Sequence, residues 1–127
     1  MRKVLIADDH AIVRGGLKQL LSGENGFIIA GEAANGLEAL KLFDESQKTV
    51  HLVISDIVMP QMGGIELYQT LRQRYPELKM LLITGHPLEE MNQKLLEKGQ
   101  VNWLQKPFTV QDLNQAIQSL LKSGPDA

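Results

Sequence analysis

The sequence predicts an α/β fold: a doubly wound sheet of five parallel strands in the order 2-1-3-4-5, a (βα)5 chain with helices on both faces. Three observations lead there. Five short, apolar, β-branched runs alternate with longer stretches of helical period, which implies parallel strands joined by right-handed crossovers. The first, third and fourth runs are apolar almost throughout, as strands covered on both faces are. The chain has 127 residues, 43% hydrophobic and 22% charged, enough for one domain with one sizeable core.

In chain order, "KVLIA" from Lys3 reads as the first strand, and Val13, Leu17, Leu20 and Leu21 as the apolar stripe of the helix after it. "FIIAGE" from Phe27 is the second strand, followed by a helix carrying Leu40, Leu42 and Phe43. "HLVIS" from His51 is the third, and Leu67 and Leu71 line the next helix, which Pro76 should end. "KMLLIT" from Lys79 is the fourth; Leu88, Met91, Leu95 and Leu96 form a further stripe, with Gly99 as a stop. "VNWLQ" from Val101 is the fifth strand. Val110, Leu113, Ile117, Leu120 and Leu121 then share one helix face, and Thr109 with Asp112 makes a capping box at its start. These elements give one domain over residues 1–122 and a tail or linker, 123–127, reading "SGPDA".

Composition narrows the function classes. Thirteen basic and fifteen acidic residues give a formal charge of -2, and no Lys or Arg run supplies the stripe that direct nucleic-acid binding needs. There is no cysteine, hence no disulfide, thiolate ligand or cysteine nucleophile. The opening "MRKVLIADDH" meets two aspartates after Ala7, too soon for a signal peptide, and no stretch approaches the ~18 apolar residues of a membrane span. The expected setting is cytoplasmic, without membrane insertion.

The chemistry is expected at the carboxyl ends of the strands, where open parallel sheets bind ligands. Asp8 and Asp9 end the first strand and Asp56 the third, with Thr84 at the end of the fourth and Lys106 at the end of the fifth. Singly, each has a plain explanation: Asp9 or Asp56 as a cap, Thr84 as a strand residue, Lys106 as a solvated charge. Jointly they fall at one edge of one sheet. Three carboxylates held together raise one another's pKa and call for cations. A hard divalent ion with oxygen ligands, Mg2+, fits, and with Lys106 the charges of -3, +2 and +1 cancel. Asp56, alone on the central strand, is the candidate nucleophile for an aspartyl phosphate, with Thr84 and Lys106 as partners for the phosphoryl oxygens.

"LIADD", "DIVMP", "LLIT" and "LQKPF" together resemble the receiver domain of two-component response regulators, from about Lys3 to Leu121. The resemblance implies a flavodoxin-like fold in which Asp56 takes phosphate from a histidine kinase or a histidine phosphotransfer protein. It implies that Asp9, Asp56 and the Val58 carbonyl hold Mg2+ directly, that Asp8 acts through water, and that Lys106 pairs with the phosphoryl group. It also implies a cis Lys106–Pro107 bond and a turn at Gly63 and Gly64. Thr84 and Trp103 take the switch positions; Trp103 departs from the usual Tyr or Phe, and permanent packing at the strand edge is the competing role for it. Val58 and His86 occupy the positions that tune dephosphorylation, and Val58, unable to orient water, implies slow self-hydrolysis.

By the same resemblance the domain is no enzyme toward other substrates: it catalyses only its own phosphoryl transfer and slow hydrolysis. The output surface runs from Leu88 to Leu121, and the first helix, with Ile12, Val13 and Gly16, is a docking face for the donor. Monomer, or dimer on phosphorylation, is the expected state. The stretch "GHPLEEMNQKLLEKGQVNWLQKPF" most resembles receivers attached to hybrid histidine kinases. Other classes fit less well. A degenerate, phosphorylation-independent docking module would not need all five site residues. A dehalogenase-like phosphatase wants a second acid where Val58 stands. A flavodoxin-like cofactor binder would find "DDHAIV" repelling its phosphate, and no GxxxxGK[ST] loop exists for a nucleotide.

Overall fold

A computed structural model describes residues 3–22, 27–46, 50–76, 78–85 and 101–122. Its strands are β1 (Lys3–Ala7), β2 (Ile28–Ala33), β3 (Val50–Asp56), β4 (Lys79–Thr84) and β5 (Val101–Gln105). Its helices are α1 (Ala11–Ser22), α2 (Gly36–Ser46), α3 (Gly64–Arg74) and α4 (Val110–Lys122). The expected stripe from Leu88 to Leu96, its stop at Gly99, and His86 lie outside the described residues.

The five strands form one sheet in the order β2-β1-β3-β4-β5, and every pairing is parallel. Alternation along each central strand sorts its side chains between two cores. Val4, Ile6, Leu52, Ile54, Leu81 and Ile83 face a cluster completed by Leu17 and Leu21 of α1 and Leu113, Ile117 and Leu120 of α4. Leu5, Ala7, Val53, Met80 and Leu82 face the other way, onto Ala39 and Phe43 of α2 and Leu67, Tyr68 and Leu71 of α3. Phe43 is 2% exposed, its ring centroid 4.7 Å from that of Tyr75, so truncation to Ala would cost about 3–5 kcal/mol.

β1, β4 and β5 have the bounds read from the sequence, whereas the other two strands need correction. β2 runs from Ile28 to Ala33, one residue later than expected, because its pairing with β1 shifts between Val4 and Leu5, after which Ala7 pairs with Ala33. β3 starts at Val50 and takes in Asp56 itself, since pairing with β4 continues to Asp56 opposite Ile83. The capping box at α4 is formed: the Asp112 N–H donates to Thr109 Oγ1 and the Thr109 N–H to Asp112 Oδ2, both at 3.0 Å. α3 stops at Arg74, two residues before Pro76.

Candidate functional site

β1 and β3 are neighbours, but the helices that follow them pack on opposite faces, α1 on one and α3 on the other. The chain therefore diverges at the carboxyl ends of these strands and leaves a crevice, the usual ligand position in such sheets. Three backbone bonds extend the sheet ladder into its rim. The Asp8 N–H donates to the Ala33 carbonyl at 2.9 Å, the Ile57 N–H to Ile83 at 2.9 Å, and the Lys106 N–H to Thr84 at 2.7 Å. Side chains at 8, 56 and 106 are thus held by strand geometry rather than by loop packing.

They meet. Lys106 Nζ lies 3.7 Å from Asp56 Oδ2 and 3.9 Å from Asp8 Oδ2. Asp8 is 1% exposed and Asp56 6%, whereas Asp9 is exposed. One ligand atom each from Asp8, Asp9, His10 and Asp56 can be chosen so that all lie within 4.8 Å of one another. Burial raises the Asp56 carboxyl above its ordinary range, and the Asp8 charge adds to that; Lys106 and the backbone N–H groups of Ile57 and Val58 act in the opposite direction. Asp8 Oδ2 is buried and accepts no hydrogen bond. An ionised oxygen in that state is expensive without a cation, and a set of carboxylate oxygens is what a hard divalent ion binds. The residues present fit such an ion.

The loop after β3 explains the paired glycines. The Gly64 N–H donates to the Ile57 carbonyl at 2.9 Å, which brings α3 back against the strand end. A Cβ at Gly64 would collide with the Asp56 carbonyl oxygen and stand 3.0 Å from Ile57 Cα. Gln61 adopts a φ of 67°, and Met59 and Met62 turn inward and are buried.

The other expected positions are spread around this pocket. Thr84 is buried and follows Ile83, the residue paired with Asp56. Val58 is 70% exposed beyond it. Trp103 is half-buried and packs against the cluster on the α2 and α3 side. The Lys106–Pro107 bond is cis. At the start of α1, Ile12 is 89% exposed.

Sequence reasoning missed two contributors. His10 Nδ1 lies 3.1 Å from Asp9 Oδ1 and 3.2 Å from Asp8 Oδ1, and the His10 N–H donates to Asp8 Oδ1 at 2.8 Å. Aspartates often bond the backbone two residues on, so "DDH" carried that signal. Arg14 donates to the Asp8 carbonyl at 2.5 Å and to Glu32 at 3.2 Å, and Lys18 reaches the same Glu32 at 2.8 Å. The hydrogen bond from Lys18 leads the effects holding the Glu32 carboxyl below its usual range. This α1–β2 tie steadies the end of β1; no local pattern announces it.

The family model for the response regulator receiver domain matches residues 4–118. The chain belongs to that family: it is a receiver domain of two-component systems. Among curated relatives, the response regulator GacA of Pseudomonas aeruginosa is 31% identical over 120 residues, 94% of this chain and 55% of the relative. The sensor kinase CckA of Brucella abortus is 32% identical over 119 residues, 94% of this chain but only 12% of the relative. The chain thus spans about half or less of the length of these relatives. Among solved structures, a chain of the CheX-CheY-BeF3-Mg+2 complex from Borrelia burgdorferi superimposes with a TM-score of 0.87 at 27% identity, covering 94% of this chain and 89% of that one. The chemotaxis protein CheY4 of Vibrio cholerae gives 0.82 at 30%, covering 94% and 98%.

Proposed function

We propose that this chain is a phosphoacceptor: Asp56 receives a phosphoryl group from a phosphohistidine with Mg2+ in the adjoining acidic pocket. One observation carries the reading, the buried Asp56 carboxylate set beside Asp8 with Lys106 Nζ at 3.7 Å. A carboxylate oxygen of Asp56 attacks phosphorus, an O–P bond forms and the P–N bond breaks. The bonding pair returns to the imidazole nitrogen, which takes up a proton. Lys106 offsets the charge of the phosphoryl oxygens, and the Thr84 hydroxyl donates a hydrogen bond to one of them. Asp8, held by Arg14 through its carbonyl, keeps the pocket acidic and shaped. Asp9, Asp56 and the Val58 carbonyl would hold the ion directly, with Asp8 acting through water; the ion supplies positive charge to the oxygens of the transferred group.

The donor is a histidine kinase or a phosphotransfer protein that approaches over α1, where exposed Ile12 flanks the acids. The relation to a sensor kinase favours a receiver, residues 1–122, belonging to a hybrid kinase in the cytoplasm. Among the described residues no helix is long and apolar enough to cross a membrane. Thr84 and Trp103 carry the response to phosphorylation, Val58 and His86 its lifetime, and no substrate other than the phosphodonor is turned over.

The test is incubation with a small phosphodonor. Acid-labile, Mg2+-dependent label should appear on the parent and vanish in Asp56→Ala; label retained by that variant would place the acceptor elsewhere.

A further inference from the structure

Among the described residues the buried polar side chains are Asp8, Asn35, Ser55, Asp56 and Thr84. Asp8, Asp56 and Thr84 belong to the pocket, and Asn35 caps α2 by accepting the Glu38 N–H at 2.9 Å. Ser55 remains. It is 0% exposed, and strand alternation turns it away from the pocket, to the side of Val53 and the α2–α3 core. A buried hydroxyl costs free energy unless it is bonded, and alanine would fill nearly the same space. We propose that Ser55 is a positioning residue for the phosphoacceptor: its hydroxyl fixes the peptide unit that joins Asp56 to Ile57, and with it the turn that carries the pocket's backbone groups. The inference rests on Asp56 being the acceptor, as the proposed function holds.

Two observations support it. The first is how that peptide is held. Its N–H, that of Ile57, donates to the Ile83 carbonyl of β4 at 2.9 Å. The N–H and C=O of one trans peptide point opposite ways, so the Asp56 carbonyl faces the β1 side. Pairing of β3 with β1 runs only as far as Ala7 opposite Ser55, and there Ser55 Oγ donates to the Asp56 carbonyl at 2.9 Å. The peptide is thus gripped at both ends. It has no room toward α3 either, since even a Cβ at Gly64 would collide with that carbonyl oxygen. The second is that the other acid-bearing strand uses the same device. Pairing of β1 with β2 runs to Ala7 opposite Ala33, and beyond it the Asp8 carbonyl accepts a hydrogen bond from the Arg14 side chain. Where each ladder gives out, a side chain takes over the carbonyl of the aspartate. The N–H groups of Ile57 and Val58 bond the Asp56 carboxylate, and rotation of the Asp56–Ile57 peptide would move them together with the Val58 carbonyl.

Ser55→Ala removes one oxygen and leaves the packing almost unchanged. Its initial rate of labelling by acetyl phosphate at saturating MgCl2, per mole of folded protein, should fall about fivefold, or about 1 kcal/mol, the worth of one neutral hydrogen bond. Ser55→Thr keeps the hydroxyl and should return the rate to within twofold of the parent. In metal-free Ser55→Ala the Ile57 and Val58 amide resonances should move, a change that a role in packing alone would not produce. A Ser55→Ala rate within twofold of the parent, or a Ser55→Thr rate no better than that of Ser55→Ala, would overturn the inference and leave Asp56 as the acceptor. Failure of the parent to take label would overturn both.

Discussion

Replacing Lys106 by Met removes the ammonium that faces two buried carboxylates. At an effective dielectric of 20, a unit charge pair at 3.7 Å is worth about 4.5 kcal/mol and one at 3.9 Å about 4.3 kcal/mol. Those are gross attractions. The Lys106 side chain is 29% exposed, so solvent screens it and part of the gain goes into desolvating the ammonium. Breaking a fully buried pair costs about 3–5 kcal/mol; with this discount, Lys106→Met should destabilise the metal-free protein by about 2–3 kcal/mol. Repeating the substitution in an Asp56→Asn background leaves one acid facing the site, and the cost should fall to about half, a coupling near 1 kcal/mol. Urea denaturation in a chelating buffer measures all four corners of the cycle. A Lys106→Met variant within about 0.5 kcal/mol of the parent, or an equal cost in both backgrounds, would refute the argument that this lysine compensates the acids.

Three other outcomes are expected. Because the folded-state pKa of Asp56 is raised above its ordinary 3.8, the stability linked to this group is complete below that value and is lost as pH rises through the folded value; melting of metal-free protein across that window should decline more steeply for the parent than for Asp56→Asn. Gly64→Ala forces a Cβ against the Asp56 carbonyl and should cost about 1–3 kcal/mol in the same denaturation assay, with slower phosphorylation because the acceptor is displaced. Val58→Asn places a water-orienting amide at the exposed position beyond Asp56 and should speed loss of the acyl phosphate, followed as decay of label; an unchanged half-life would show that this position does not set the rate here.

The parts legible in the sequence are those fixed by pattern. β1, β4 and β5 were bounded correctly because their runs end abruptly at polar or charged residues, and sheet order placed Asp8, Asp56 and Lys106 at one rim before any coordinates. The second strand slipped by one residue since "IIAGEA" is an edge strand with small residues, whose register is weakly specified by burial. The run "HLVIS" stops one residue short of Asp56 because Asp is poor in strands, yet pairing with β4 keeps Asp56 on the ladder. Arg14 escaped notice for a different reason: its role is tertiary, made when α1 packs over the ends of β1 and β2, whereas His10 bonds Asp8 two residues back, a local signal left unread.

The edge position of β5 has a consequence for how this protein comes into being. The acids at positions 8, 9 and 56 leave the ribosome before the lysine at 106. A nascent or truncated chain that has docked only its earlier strands holds a knot of like charge without the Lys106 ammonium that faces it in the folded protein. The site is therefore completed only once β5 has been made, and a polypeptide cut before β5 would forfeit it whole rather than in proportion.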